Sequence, residues 1–179
     1  MAVLRWVKPW FEILWAPWRM KYIASTVKSG SVECIFCEAP KLGSDEEALI
    51  LYRSSKNYVI LNKYPYNTGH TMVTTFRHIA SIEDLGDDEL LEASKLVKAV
   101  VRALRRLYNP HGFNVGINIG SAAGAGIAGH FHIHIVPRWS GDANFMLTTG
   151  GTKVLPETLD ITYRRLKPVL EEEARREGV

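Results

Sequence analysis

Histidine and apolar residues alternate without a break from His130 to Ile135, in His-Phe-His-Ile-His-Ile, and Val-Pro-Arg-Trp139 follows. Side chains on a β-strand point alternately to opposite faces. A strand here puts His130, His132 and His134 on one face and Phe131, Ile133 and Ile135 on the other. Same-face neighbours lie about 6.8 Å apart, so three imidazoles can meet one ligand or metal while each does a different job. The stretch before the strand, Gly120 to Gly129, is poor in bulk and rich in glycine. Such a loop can turn backbone N–H groups toward an anion. A glycine loop leading into a histidine strand has the shape of a phosphate-chemistry site.

The rest of the chain sets the frame. At 179 residues it is long enough for one domain with a real core. Its 22 basic and 19 acidic residues leave a net charge of +3, too small to argue for a nucleic-acid or membrane partner. No apolar run reaches membrane-spanning length. The N-terminus carries four tryptophans but is broken by Arg5, Lys8, Pro9 and Glu12, so it lacks a signal-peptide core. These features predict a cytoplasmic protein. Residues 1–13 read as an extension, and 14–179 as a single domain.

Ala48–Arg53 and Tyr58–Asn62 are predicted strands joined by a Ser-Ser-Lys-Asn turn. His70–Phe76 is a third, Phe113–Ile119 a fourth and the histidine segment a fifth. Gly86–Tyr108 is the clearest helix. Its start is acidic, and Leu90, Ala93, Val97, Val100, Val101, Leu104 and Leu107 fall at helical spacing. Thr158–Arg176 is a second helix, with an interruption expected at Pro168. Short strands at hairpin distances, with a long helix between the third and fourth, predict an α+β fold: an antiparallel sheet covered by helices.

Cys34 and Cys37 form the chain's one Cys-x-x-Cys. Two thiolates on a tight turn are a common half-site for zinc, and a redox pair or a chance pair remains open on spacing alone. His70, His78, His111 and the three strand histidines are the candidate further ligands.

The segment His130-Phe-His132-Ile-His134-Ile-Val136, followed by Pro137-Arg138, resembles the motif of the histidine-triad (HIT) family. The flanks, Leu-Trp-Ala-Pro-Trp-Arg-Met-Lys-Tyr-Ile before the cysteines and Trp-Ser-Gly-Asp-Ala-Asn-Phe-Met after the triad, look like its diadenosine-tetraphosphate phosphorylase-like branch. The resemblance implies a five-stranded antiparallel sheet with two main helices, and a homodimer. It implies that His132 attacks the α-phosphorus of a nucleotide and forms a nucleotidyl-histidine, with a backbone carbonyl fixing its tautomer. His134 would bond a phosphate oxygen, and His70 would support the triad from the adjacent strand. A zinc site would take Cys34, Cys37, His78 and His130, closed and hence structural.

Asn62 matches a position that binds ribose, and Asn118 an amide that contacts phosphate or sugar. Gly126 and Ile127 stand where many relatives carry a Ser or Thr hydroxyl, which leaves backbone N–H groups or Ser121 to meet the phosphate. Trp139 would shape the substrate site and Lys153 would contact phosphate. Ile35, Phe36, Ile60 and Leu61 are read as walls of an adenine pocket. The implied substrate is a diadenosine polyphosphate, split by phosphate or water. Two other readings stay in view: a Hint-like nucleoside phosphoramidate hydrolase, and a nucleotide-binding module with little turnover.

Overall fold

The structure, a computed structural model, describes residues 34–179. The N-terminal extension expected over residues 1–13, and the aromatic stretch after it, lie outside the described residues.

Five antiparallel strands form one sheet: β1 Ile50–Arg53, β2 Asn57–Leu61, β3 Thr71–Thr75, β4 Gly112–Ile117 and β5 His132–Arg138. Their order is β1-β2-β3-β5-β4, which places the histidine strand between β3 and β4. Helix α3, Asp87–Tyr108, crosses from β3 to β4, and α5, Leu159–Glu177, packs beside it. Three shorter helices are α1 Ile35–Glu38, α2 Asp45–Ala48 and α4 Phe145–Gly150.

Register sorts the two faces of the sheet. Val59, Val73 and Ile133 pair across three strands, and with Ile135 they meet the α3 residues Leu96, Val100 and Leu104 and the α5 residues Leu166 and Leu170 in the main core. Tyr58, Thr74 and His132 pair across the same strands one residue away, so they share the opposite face. There Tyr58, Ile60 and Met72 form a second cluster with Phe36 of α1. The apolar residues of the histidine strand therefore hold the sheet to its helices. The histidines are left on the face that α1 partly covers.

Several expectations change. The strand expected from Ala48 begins at Ile50, because Ser44 caps a helical turn by accepting from the Glu47 N–H at 3.4 Å. His130 precedes β5 and does not stand in its ladder, yet its ring, like that of His132, packs against Phe36. The buried stripe of α3 runs through Glu89, Ala93, Leu96, Ala99, Val100, Ala103 and Leu104, with Leu90 37 % exposed. Helix α5 continues unbroken across Pro168. Its buried residues fall on both sides of the proline, from Tyr163 and Leu166 to Leu170 and Ala174, and packing against α3 outweighs one lost backbone bond. Leu61 packs with the helix-side core, away from the face that carries Ile60. Among the described residues no helix is long and apolar enough to cross a membrane.

Candidate active site and metal centre

β5 and β3 set the first histidines. His134 pairs with Met72 in β3 and faces Gly116 in β4, where no side chain crowds it. His70 stands one residue before β3, after Gly69. Gly69 holds φ +77°, and a Cβ there would meet Leu104 Cδ2 at 2.9 Å, so both backbone and space favour glycine.

The hydrogen bonds assign each ring its proton. The Tyr66 N–H donates to His70 Nδ1 at 3.1 Å, with the Asn62 amide also 3.3 Å from it. His70 Nδ1 is therefore an acceptor and Nε2 carries the hydrogen. That Nε2 lies 2.9 Å from His134 Nδ1. His134 accepts there, so its own Nε2–H is free to donate. His132 Nδ1 lies 2.7 Å from the His130 carbonyl, to which it must donate. This leaves His132 Nε2 with a bare lone pair, the form a nucleophilic imidazole needs.

Burial keeps these rings neutral. It lowers His132 below the ordinary histidine value, against the opposing pull of the His130 carbonyl. Burial and then His132 lower His134 to about 4. Burial and then His134 and His132 lower His70 to about 3. Each cause disfavours the charged ring.

A group of side chains that could hold a metal adjoins this site. In α1 the N–H of Glu38 bonds the Cys34 carbonyl at 3.0 Å, and that one turn brings Cys34 and Cys37 together. The donor atoms of Cys34, Cys37, His78 and His130 all lie within 4.8 Å of one another. His130 Nδ1 is 3.3 Å from Cys34 Sγ and 3.6 Å from Cys37 Sγ, and His78 Nδ1 is 3.3 Å from Cys37 Sγ. A tetrahedron with Zn–S of about 2.3 Å and Zn–N of about 2.05 Å has S···N edges of about 3.5 Å. The donor set fits zinc. His130 Nε2 lies 2.9 Å from the Thr75 carbonyl, to which it donates, and so its Nδ1 presents a lone pair to the sulfurs. A buried histidine held by a backbone carbonyl and facing two thiols has the tautomer and the setting that a metal ligand needs.

The other expected site residues divide. Asn62 is half-buried at the end of β2 and also accepts from the Tyr64 N–H at 2.9 Å, beside His70. Asn118 lies one residue past the Ile117–Ile133 pair, level with His132. Gly126 is exposed in the glycine loop, and Ile127 packs on the Phe36 cluster. In that loop a 3-10 turn over Ser121–Ala123 uses the N–H groups of Ala123 and Gly124 internally.

Trp139 stands past the end of β5 that lies away from His132, and Lys153 sits beside Asp142. Trp139 is seven residues from His132, about 23 Å along a strand, and its indole N–H reaches the Tyr108 carbonyl at 3.4 Å. Lys153 bonds the Asp142 carbonyl. Trp139 and Asp142 line a cavity of about 590 Å³ with Tyr108, Val154 and Glu157. Asp142 went unsingled in the sequence, yet it binds Arg138 at 2.7 Å and Asn67 at 2.9 Å, tying the β2–β3 loop to the end of β5.

A model of the HIT domain matches residues 44–141. The AP-4-A phosphorylase of Mycobacterium tuberculosis is 46 % identical over 159 residues, covering 86 % of this chain and 81 % of the relative. A zinc-bound histidine triad family protein from Mycobacterium smegmatis superposes with a TM-score of 0.62 at 26 % identity, over 80 % of this chain and 96 % of its own. The diadenosine triphosphate hydrolase of Plasmodium falciparum shares the fold, with a TM-score of 0.57 at 19 % identity over 85 % and 96 % of the two chains. With this sheet, this triad and these matches, the chain belongs to the HIT domain family.

Proposed function

We propose that this chain is an enzyme that acts on the α-phosphate of adenine nucleotides through a nucleotidyl-histidine, as a diadenosine polyphosphate phosphorylase or hydrolase. The observation that carries the proposal is the bond from His132 Nδ1 to the His130 carbonyl, 2.7 Å, which leaves Nε2 free to attack. In the first step Nε2 bonds to the α-phosphorus and the bond to the bridging oxygen breaks. The leaving nucleotide takes the electron pair. In the second step phosphate or water attacks the same phosphorus, gives up a proton, and releases His132 neutral. This chemistry asks for positioning and charge stabilisation more than for a strong base.

His134 serves as a hydrogen-bond donor to a non-bridging oxygen, and His70 holds it in the donating tautomer. Asn62 binds ribose, Asn118 and the backbone at Gly126 and Ile127 bind phosphate, and Trp139 and Lys153 belong to the far end of the substrate site. The 46 % identity to an AP-4-A phosphorylase supports a dinucleoside substrate.

Zinc, held by Cys34, Cys37, His78 and His130, is structural in this reading, because four protein ligands leave no open position. It would supply rigidity to the turn that carries Cys34 and Cys37. The protein acts as a cytoplasmic homodimer. Its metal-ready thiols suit a reducing compartment. Among the described residues β4 is an edge strand of the sheet, with Val115 within it 48 % exposed and Ile119 just past it 44 % exposed.

The test is product analysis on diadenosine tetraphosphate with and without inorganic phosphate. ADP plus ATP formed only with phosphate identifies a phosphorylase, and AMP plus ATP without it a hydrolase. No cleavage of the dinucleotide would overturn the proposal.

A further inference from the structure

The turn that presents the two cysteines also carries Phe36, and its ring does not face solvent. Phe36 is 2 % exposed. Its ring centroid lies 4.9 Å from that of His132 at an interplanar angle of 36°, and 5.3 Å from that of His130. So little free surface leaves a nucleobase almost nothing to stack on, although the sequence suggests a pocket wall. What the ring does touch is the imidazole that bears the nucleophile.

The backbone of Phe36 is pinned as well. Its carbonyl accepts the Tyr58 hydroxyl at 2.6 Å. Tyr58 is completely buried on β2 and pairs with Thr74, which pairs with His132. Filling that volume needs only a phenylalanine. Burying a hydroxyl costs free energy unless it finds a partner, so the tyrosine oxygen has a use in tying the turn to the sheet.

We propose that Phe36, anchored by Tyr58, is a positioning residue that holds the His132 ring in its attacking orientation. The inference rests on the reading of His132 as nucleophile. One hydrogen bond fixes the Nδ1 edge but allows the ring to swing about it. Phe36 closes one side, and the nearly perpendicular His134 ring, at a centroid distance of 4.8 Å and 75°, closes another. Nε2 is the ring nitrogen left for a substrate. Position matters steeply here, since a displacement of about 1 Å from the reactive geometry can cost about a hundredfold in rate.

The experiment uses the full chain as wild type, Phe36→Leu and Tyr58→Phe, with zinc content and circular dichroism measured on each. Histidine-selective ¹⁵N labelling follows hydrogen exchange of the His132 Nδ1–H, and steady-state kinetics use diadenosine tetraphosphate. Exchange in Phe36→Leu should speed up at least tenfold. Its kcat should fall at least tenfold with KM within twofold, while zinc content stays at the wild-type level. Tyr58→Phe should move the same quantities the same way by about threefold, and it carries the test if Phe36→Leu fails to fold. Unchanged exchange overturns the inference, as does a raised KM with unchanged kcat, which would make Phe36 a wall of the base site. A wild type that turns over no dinucleotide would remove the proposed function, and the exchange measurement would still decide the positioning role.

Discussion

Replacing His70 tests the proton assignment most directly. His70 is 1 % exposed, and its Nε2 donates to His134 Nδ1 at 2.9 Å. A hydrogen bond of this kind is worth about 0.5–1.5 kcal/mol net. It also selects the tautomer in which His134 can donate to substrate. His70→Leu keeps the ring of His134 but frees its tautomer, so kcat should fall about tenfold, or about 1.4 kcal/mol. His134→Ala removes the donor entirely and should cost about 10²–10³. His70→Leu also leaves the Tyr66 N–H without its acceptor, which should destabilise the fold by about 1–3 kcal/mol. His70→Gln keeps an N–H at the end of a side chain of similar reach, and should recover kcat to within about threefold. Steady-state kinetics on the three variants, with denaturant melts to separate folding from catalysis, provide the readout. The reasoning fails if Leu and Gln at position 70 give the same kcat. It fails equally if His70→Leu is as damaging as His134→Ala, which would give His70 a direct part in the reaction.

His132→Ala should leave circular dichroism and metal content intact and reduce turnover to background; an active variant would refute the covalent mechanism. Elemental analysis should find about one zinc per chain, and chelation should lower the melting temperature, because metal binding free energy is folding free energy at such a site; a metal-free protein with unchanged melting would refute the zinc assignment. Acid should destabilise the protein earlier than carboxylate titration alone. His70 and His134 are held near 3 and 4 in the fold, against an ordinary value of 6.5. The unfolded chain therefore binds more protons below pH 6.5, and the stability present above that pH is lost as pH falls toward 4. The loss between pH 6.5 and 4.5 should be about 4 kcal/mol for the pair, or about 2 for each ring, smaller in His70→Leu, and a flat profile over that range would contradict the buried neutral pair.

What the sequence discloses depends on how local the signal is. Period-two alternation in the histidine strand, and the wide apolar stripe of α3, each arise within one element, so the sheet and its main helix can be read directly. The Ser44-x-x-Glu47 cap was readable too, but the apolar run after it reads as strand and hides the turn. Pro168 misleads because its cost is local while the packing that overrides it comes from α3. Phe36 and His132 are 96 residues apart, and no spacing rule links them. Only the folded register brings Tyr58, Thr74 and His132 into one row. Trp139 follows the triad closely in sequence yet lies far from His132, because an extended strand carries its two ends apart.

The three protons that define this site are all governed in part by main-chain atoms. The His130 carbonyl accepts the N–H of His132, the Thr75 carbonyl accepts the N–H of His130, and the Tyr66 amide donates to His70 and fixes its tautomer. Alanine scanning alters none of these atoms, so a survey of single substitutions would score Thr75 and Tyr66 by their side chains and overlook what their backbones do. The protonation pattern should accordingly tolerate drift at those positions so long as the strands keep their alignment. A one-residue slip of β3 against β5 would scramble it without changing any catalytic side chain.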